Sequence, residues 1–259
     1  MNKTHRPTIL VTNDDGIFSE GIHCLADIAS EFGNVLIVAP DSPQSAQGHA
    51  ITLEHPLRLH KSALFEGIEA YQCSGTPVDC VKMAKHLLRR GQPVDLCLSG
   101  INHGSNASIS ILYSGTMSAA MEASIEGIPA VGFSLHDFDA DNPHFETAKD
   151  VVRRVVQLFF EKGFGKATLL NVNIPNLPLE KIKDLRVCRQ AEGLWREEFT
   201  EGKDPLGRTY YWLTGKFECH ETDIESDIVA LREGYVSIVP SMHNLTHFEA
   251  MESLKMQFS

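Results

Sequence analysis

At 259 residues the chain can bury a substantial core, either in one large α/β domain or in two small ones. Its formal net charge of -11 and pI near 5.5 exclude a sequence-independent binder of nucleic-acid polymers, whose affinity for the phosphate backbone needs clustered Lys and Arg. No stretch approaches the ~18 consecutive apolar residues of a membrane span. The first residues run into a strand pattern without an apolar signal core, so the expectation is a soluble cytoplasmic protein with no membrane partner. The cysteines, Cys24, Cys73, Cys80, Cys97, Cys188 and Cys219, show no Cys-x-x-Cys spacing and read as thiols filling the core rather than as disulfides or zinc ligands.

The apolar run Ile9 to Val11 is too short for a helix and reads as a buried strand, stopped by the turn residues Asn13-Asp14-Asp15-Gly16. Glu20 to Phe32 repeats its apolar residues at helical spacing behind Ser19, a natural N-cap. Asn34 to Asp41 is a second buried strand, so this strand-helix-strand unit predicts parallel pairing with a right-handed crossover. Short strands are expected at Ile51-Thr52-Leu53, Leu57-Arg58-Leu59 and from Ile68 to Cys73, as an excursion at the sheet edge. Thr76 and Pro77 open a helix that runs to Arg90, and Val94 to Asn102 is a third buried strand. A helix over Met117 to Glu126 follows Ser114, Gly115 and Thr116 and is stopped by Gly127 and Pro129. A strand over Pro129 to Leu135 and a long helix from Phe145 to Phe159 come next, then a strand over Thr168 to Pro175 and one near Leu185 to Arg189.

Trp195 to Phe217 alternates polar and aromatic segments around Gly202, Asp204, Pro205 and Gly207, which predicts a long hairpin arm within about residues 191–222. Aromatic residues on such an arm (Trp195, Tyr210, Tyr211, Trp212) suit a subunit contact or a lid, and equally suit packing on their own domain. Thr222 to Ile224 and Gly234 to Pro240 return the chain to the sheet. Asn244 to Phe258 closes it as an amphipathic helix, within a C-terminal segment of about 223–259. With no repeat or low-complexity linker, the expected architecture is one Rossmann-like, doubly wound, mostly parallel α/β domain over 1–259 with an appended arm.

In an open sheet of this kind the carboxyl ends of the strands line the ligand crevice, so Asp14 and Asp15 stand together at its mouth. Adjacent carboxylates repel, and a hard divalent cation with oxygen ligands relieves that repulsion. The same four residues, Asn13 to Gly16, are also good turn chemistry without any ligand. Ser42 and Ser45 lie beyond the second strand, and Asn102, His103 and Asn106 beyond the third, where their oxygens and amides suit a cation or a phosphate. His103 reads as a solvated loop residue before it reads as a catalyst. The small residues Ser114, Gly115 and Thr116 leave free N–H groups at the positive end of a helix, which serves either as an anion site or as plain capping. Glu122 on that helix is either a buried partner of the site or surface charge. No Gly-x-Gly-x-x-Gly follows the first strand, which disfavours a dinucleotide site.

Taken in order, these motifs resemble the SurE family of survival-protein nucleotidases. The resemblance runs from Ile9 to about Pro240. It rests on Asn13 to Gly16, Val38 to Asp41 with Ser45, Gly75 to Cys80, Ser99 to Asn102, Tyr113 to Thr116 with Ala119 to Glu122, Asn171 to Pro175, and Gly234 to Ile238. It implies a SurE-like fold and a phosphatase acting on nucleoside 5′-monophosphates, with 3′-nucleotides and short polyphosphate as further substrates. It also implies one divalent cation per subunit, magnesium or manganese, held by Asp14, Asp15, Ser45 and Asn102. Asn106, Ser114, Gly115 and Thr116 would border the substrate phosphate. Asp14, Asp15 and Asn102 would act in catalysis, with Asp15 favoured over Asp14 to orient the attacking water. Family members resemble dimers or tetramers that exchange arms and C-terminal segments, so a homodimer or homotetramer is the expected partner state. Where many members carry an Asp-Leu-Thr-Ala-His-like stretch, this chain has Asn244-Leu245-Thr246-His247-Phe248, so no C-terminal site residue is carried over.

Three rival readings bear on the same residues. A covalent aspartyl-phosphate phosphatase uses Asp-x-Asp spacing, whereas these acids are adjacent. A receiver module needs an aspartate where this chain has Asn102, and about half its length. A non-catalytic metal- and nucleotide-binding module would keep the pocket without turnover.

Overall fold

The computed structural model describes residues 6–136, 139 and 141–258. Its central strands are β1 (Thr8–Thr12), β2 (Asn34–Pro40), β3 (Leu59–Ser62), β4 (Glu69–Cys73), β5 (Leu96–His103), β6 (Ala130–His136) and β7 (Leu169–Pro175). Further on lie β8 (Leu185–Val187), β9 (Leu194–Lys203), β10 (Thr209–Glu218) and β11 (Val236–Ser241). The helices are α1 (Glu20–Phe32), α2 (Pro77–Met83), α3 (Gly115–Ile125), α4 (Phe145–Lys162), α5 (Asp227–Arg232) and α6 (Phe248–Phe258).

Among the described residues nine strands form one sheet in the order β3-β4-β2-β1-β5-β6-β7-β11-β8. From β4 to β7 neighbouring strands run parallel, while β3 and β11 pair antiparallel with β4 and β7. The inner strands are buried on both faces, as their continuous apolar runs require. Ile9 and Val11 join the core under α1 and α4, and Leu10 joins the core under α2 and α3, following the two-residue alternation of a strand. The order reverses at β1: the chain steps one way to β2 and then returns past β1 to lay down β5. Their carboxyl ends therefore open the crevice where a doubly wound sheet binds its ligand.

The edge excursion departs from expectation. Ile51 to Leu53 forms no strand, because loop contacts to α2 occupy this backbone: the Thr52 N–H donates to the Asp79 carboxylate at 3.2 Å, and the Ala50 carbonyl accepts from the Thr76 hydroxyl at 2.7 Å. The next strand begins at Leu59 rather than Leu57. The helix expected to reach Arg90 keeps α geometry only to Met83 and ends in one wider turn, Ala84–Leu88. Ser19 sits at the N-cap position of α1, yet its hydroxyl accepts from Asn13 Nδ2 at 2.8 Å instead of capping the helix. Thr222 to Ile224 forms no strand, and the six-residue α5 after it is too short to announce itself by periodicity. The hairpin arm is β9 paired antiparallel with β10, ten residues each. All six cysteines are buried free thiols. Among the described residues no helix is long and apolar enough to cross a membrane.

Candidate active site

The turn after β1 is shaped by its own residues. Gly16 takes a left-handed φ of 91°, and Asn13 Nδ2 donates to the Gly16 carbonyl at 2.9 Å. This tight closure sets Asp14, 3% exposed, at the inner end of a cavity of about 580 Å³. The cavity wall continues through Ser45, Asn102, His103, Asn106 and Ser114. Its size falls within the range of small-molecule sites.

Helix α3 begins directly against Asp14. A Cβ placed on Gly115 would lie 2.6 Å from Asp14 Cβ, closer than real Cβ contacts, so only glycine lets the helix start there. The Thr116 hydroxyl donates to Asp14 Oδ1, and the Thr116 backbone N–H also bonds that carboxylate. Asn102 Oδ1 lies 3.4 Å from the same hydroxyl. One hydroxyl hydrogen cannot serve both acceptors, so the Asn102 oxygen keeps its lone pairs for another partner. The Asn102 amide nitrogen is committed to the Gly104 carbonyl at 2.8 Å, which turns the oxygen toward Asp14. Asp15 stands beside the cavity, half-buried, and its Oδ2 accepts the His103 N–H at 3.3 Å.

Burial pushes the Asp14 carboxyl up to about 6, with the neighbouring Asp15 charge adding to the effect and the Thr116 bonds opposing it. Burial also raises Asp15, against the pull of His103. Among the described residues no Lys or Arg lines the cavity to offset these charges. Two carboxylates, an amide oxygen and a hydroxyl form an all-oxygen donor set, which is the chemistry a hard cation such as magnesium selects. The set contains only two acids, and among the described residues no group of three or more His, Cys, Asp or Glu side chains is arranged around a common metal position. Asp14, Ser45 and Asn102 line one cavity and Asp15 stands beside it, so the side chains present are oxygen donors of the kind a small hard cation takes.

The remaining residues fall into distinct places. Ser45 reaches the cavity on a loop fastened by the Gln44 N–H to the Asp14 carbonyl, 2.7 Å, and by the Gly48 N–H to the Tyr113 carbonyl, 3.2 Å. Ser42 is turned away, its hydroxyl donating to Asp41 at 3.0 Å. Ser114 lines the cavity and caps α3 by accepting the Met117 N–H at 3.0 Å. Gly115 and Thr116 lie behind Asp14 and hold it in place. Asn106 is 5% exposed and gripped on three sides: its Nδ2 donates to Ser134 at 2.7 Å, its N–H to Asn173 Oδ1 at 2.8 Å, and its carbonyl accepts from Asn171 Nδ2 at 2.8 Å. The His103 ring packs at a tilt on Phe145, with centroids 5.5 Å apart. Glu122 is buried, bonded by Lys82 and by His49 at 2.9 Å.

Sequence reasoning passed over the supports of this site. Asp227 is fully buried and accepts N–H bonds from Ser108 at 2.9 Å, Ala191 at 3.0 Å and Ile228 at 2.7 Å. The Ser108 hydroxyl donates to the Ala191 carbonyl at 2.8 Å and accepts the Gly193 N–H at 3.0 Å. These bonds clamp the root of the arm to the segment after Asn106. In consequence Trp195, Glu197, Leu213, Thr214 and Gly215 line the cavity. Of the readings the sequence offered for the arm, the structure places Trp195 against the crevice, as a lid would stand, while the clamp at Ser108 and Asp227 that holds it there had no local signal.

The family model described as "Survival protein SurE" matches residues 9–197. A protein named 5′-nucleotidase SurE from Cytophaga hutchinsonii is 51% identical over 249 residues, covering 96% of each chain, and one of the same name from Flavobacterium psychrophilum is 50% identical over 250 residues, again 96% of each. The crystal structure of the SurE protein from Aquifex aeolicus superposes with a TM-score of 0.83 at 38% identity, covering 98% of this chain and all of that one. With its family model matched over most of its length and relatives this similar end to end, the chain belongs to the SurE family.

Proposed function

We propose that this protein is a metal-dependent phosphatase that hydrolyses nucleoside 5′-monophosphates to nucleoside and inorganic phosphate. The observation that carries the reading is the convergence of Asp14 and Asn102 on the Thr116 hydroxyl in a cavity that, among the described residues, no Lys or Arg lines. Ionised acids there repel phosphate, and a cation between them and the phosphate relieves that repulsion. The relatives named 5′-nucleotidase SurE support the reaction class.

In this proposal Asp14, Asp15, Ser45 and Asn102 hold one magnesium or manganese ion, which, when bound, offsets negative charge on the phosphoryl oxygens. Asn106, fixed by Ser134, Asn171 and Asn173, borders the phosphate with a side chain that needs no rearrangement, and Ser114 borders it from the start of α3. Asp15 orients the attacking water through Oδ1, the oxygen that the His103 N–H leaves available, and takes its proton. As the new P–O bond forms the P–O5′ bond breaks, and the departing 5′-oxygen takes a proton from solvent to give the nucleoside. Thr116 keeps Asp14 in one rotamer throughout. Because the phosphoryl end of the cavity is built separately from its arm wall, 3′-nucleotides and short polyphosphate are proposed as secondary substrates.

Exposed Phe199, Tyr211, Trp212 and Leu213 on the arm, with Met256 and Phe258 on α6, support assembly of a homodimer or homotetramer through these two segments. Activity is tested by phosphate release from a panel of nucleoside monophosphates after metal stripping and after return of magnesium or manganese. The proposal expects turnover only on metal return. Equal turnover in excess chelator would overturn it.

A further inference from the structure

The arm supplies lining of the cavity whose chemistry differs from that of Asp14, Asn102 and Asn106, and its parts are held in place. The indole of Trp195 lines the cavity, its Nε1–H donating to the Ser110 hydroxyl at 3.3 Å and its ring meeting its cross-strand partner Phe217 edge to face, with centroids 5.8 Å apart. Two residues along the same strand, Glu197 lines the cavity opposite Gly215. Leu213 and Thr214 complete that lining. The clamp of Ser108 and Asp227 on Ala191 and Gly193 ties the root of the arm to the site, so this surface is positioned before any ligand arrives.

We propose that Trp195 and Glu197 form the nucleobase subsite: the base stacks on the Trp195 indole, and the Glu197 carboxylate accepts hydrogen bonds from N–H groups on the base edge. The proposal rests on the nucleotidase reading and adds the residues that tell one substrate from another. A carboxylate at this end repels phosphate and directs it toward the cation end, where the donor set expects it. An ionised carboxylate only accepts hydrogen bonds, which matches a base edge that presents imino and amino hydrogens, and guanine offers two side by side. A flat indole stacks on the π-face of any base, so Trp195 supplies affinity while Glu197 sets preference.

The experiment compares kcat/KM for GMP, AMP and UMP with that for ribose 5-phosphate, which carries the same phosphate and sugar without a base. Wild type, Trp195→Ala, Trp195→Phe and Glu197→Gln are assayed with metal supplied. In Trp195→Ala the ratio of nucleotide to ribose 5-phosphate turnover falls about tenfold, mainly through KM, and Trp195→Phe restores most of it. Glu197→Gln changes the order among the three nucleotides, with GMP losing most. If Trp195→Ala lowers all four substrates by the same factor, Trp195 only supports the fold and the subsite is overturned. An order that stays intact in Glu197→Gln overturns it equally. Should wild type hydrolyse ribose 5-phosphate as well as it hydrolyses nucleotides, the base subsite fails while the phosphatase reading stands. Should it hydrolyse none of the four, the phosphatase reading itself fails.

Discussion

Asp14 depends on two neighbours that contribute nothing to charge. Gly115 gives it room, and Thr116 gives it a rotamer. Gly115→Ala pushes a methyl group to 2.6 Å from Asp14 Cβ, so it is expected to cost about 1–3 kcal/mol of stability and nearly all phosphatase activity, as read by urea unfolding alongside phosphate release. Thr116→Val keeps the volume and removes the hydroxyl bond to a charged group. Such a bond is worth about 1.5–3 kcal/mol, so kcat/KM should fall tenfold or more while the far-UV circular dichroism is unchanged. Unaltered kinetics in Thr116→Val would show that Asp14 is held by other means. The acids were legible because they follow an apolar run directly, where a strand must end, and Asn102 for the same reason, whereas that rule pointed to Ser42 as much as to Ser45 and could not tell which of the two reaches the cavity. The part Gly115 and Thr116 play was not: small residues at a helix start look the same whether they face an anion or pack against a carboxylate. Asn171, Asn173 and Asp227 act across 36 to 119 residues of chain, through contacts that no local pattern encodes.

Helix α2 is bonded to the later part of the loop between β2 and β3, at Ala50 and Thr52. Thr76 and Asp79 form a reciprocal capping box, with the Thr76 hydroxyl accepting the Asp79 N–H at 3.2 Å and the Asp79 carboxylate accepting the Thr76 N–H at 2.9 Å. The Thr76 and Pro77 signature announced this helix in the sequence. Its reach into the 50–52 loop was hidden, and that is why a strand was expected there. Thr76→Ala removes the cap and the bond to the Ala50 carbonyl, and should cost about 1–2 kcal/mol in unfolding free energy. On the other side of the loop, burial alone would raise the Glu122 carboxyl, but hydrogen bonds from Lys82 and His49 outweigh it and hold it below its ordinary value. A carboxyl depressed in the folded state contributes stability that is fully present above its unfolded value of 4.5 and is lost as pH falls through the folded value. Glu122→Gln is therefore expected to be destabilised relative to wild type, by about 1–2 kcal/mol at pH 7, with the gap closing as pH drops below 4.5. A gap that stays constant down to pH 3 would mean that the charge of Glu122 carries no stability.

The whole molecule divides into a sheet whose strand ends carry Asp14, Asp15 and Asn102 and an arm whose root lines the same cavity. The sheet was readable because strands buried on both faces leave unbroken apolar runs, and because β1, α1 and β2 follow one another at lengths that admit only a parallel crossover. The arm was readable as a hairpin, with a lid among its possible roles; the choice among those roles was not readable, since its side chains are mostly exposed and its orientation comes from the Ser108 and Asp227 clamp far away in sequence. Assembly through the arm and α6 predicts a solution mass, by light scattering, of two or four times the 28.7 kDa chain, reduced when the arm tip beyond Thr200 and Trp212 is replaced by a two-residue turn. A monomer at micromolar concentration would contradict it. In the proposed reaction, turnover depends on a cation held by oxygen ligands at the ends of β1 and β5. The most direct test of that dependence is the initial rate of phosphate release from a nucleoside monophosphate as a function of added magnesium or manganese, for wild type and Asn102→Ala. Wild type should rise from near zero to saturation, and Asn102→Ala should need at least tenfold more metal to reach half of its lower maximum. Rates that do not depend on metal, or curves that coincide for the two proteins, would contradict it.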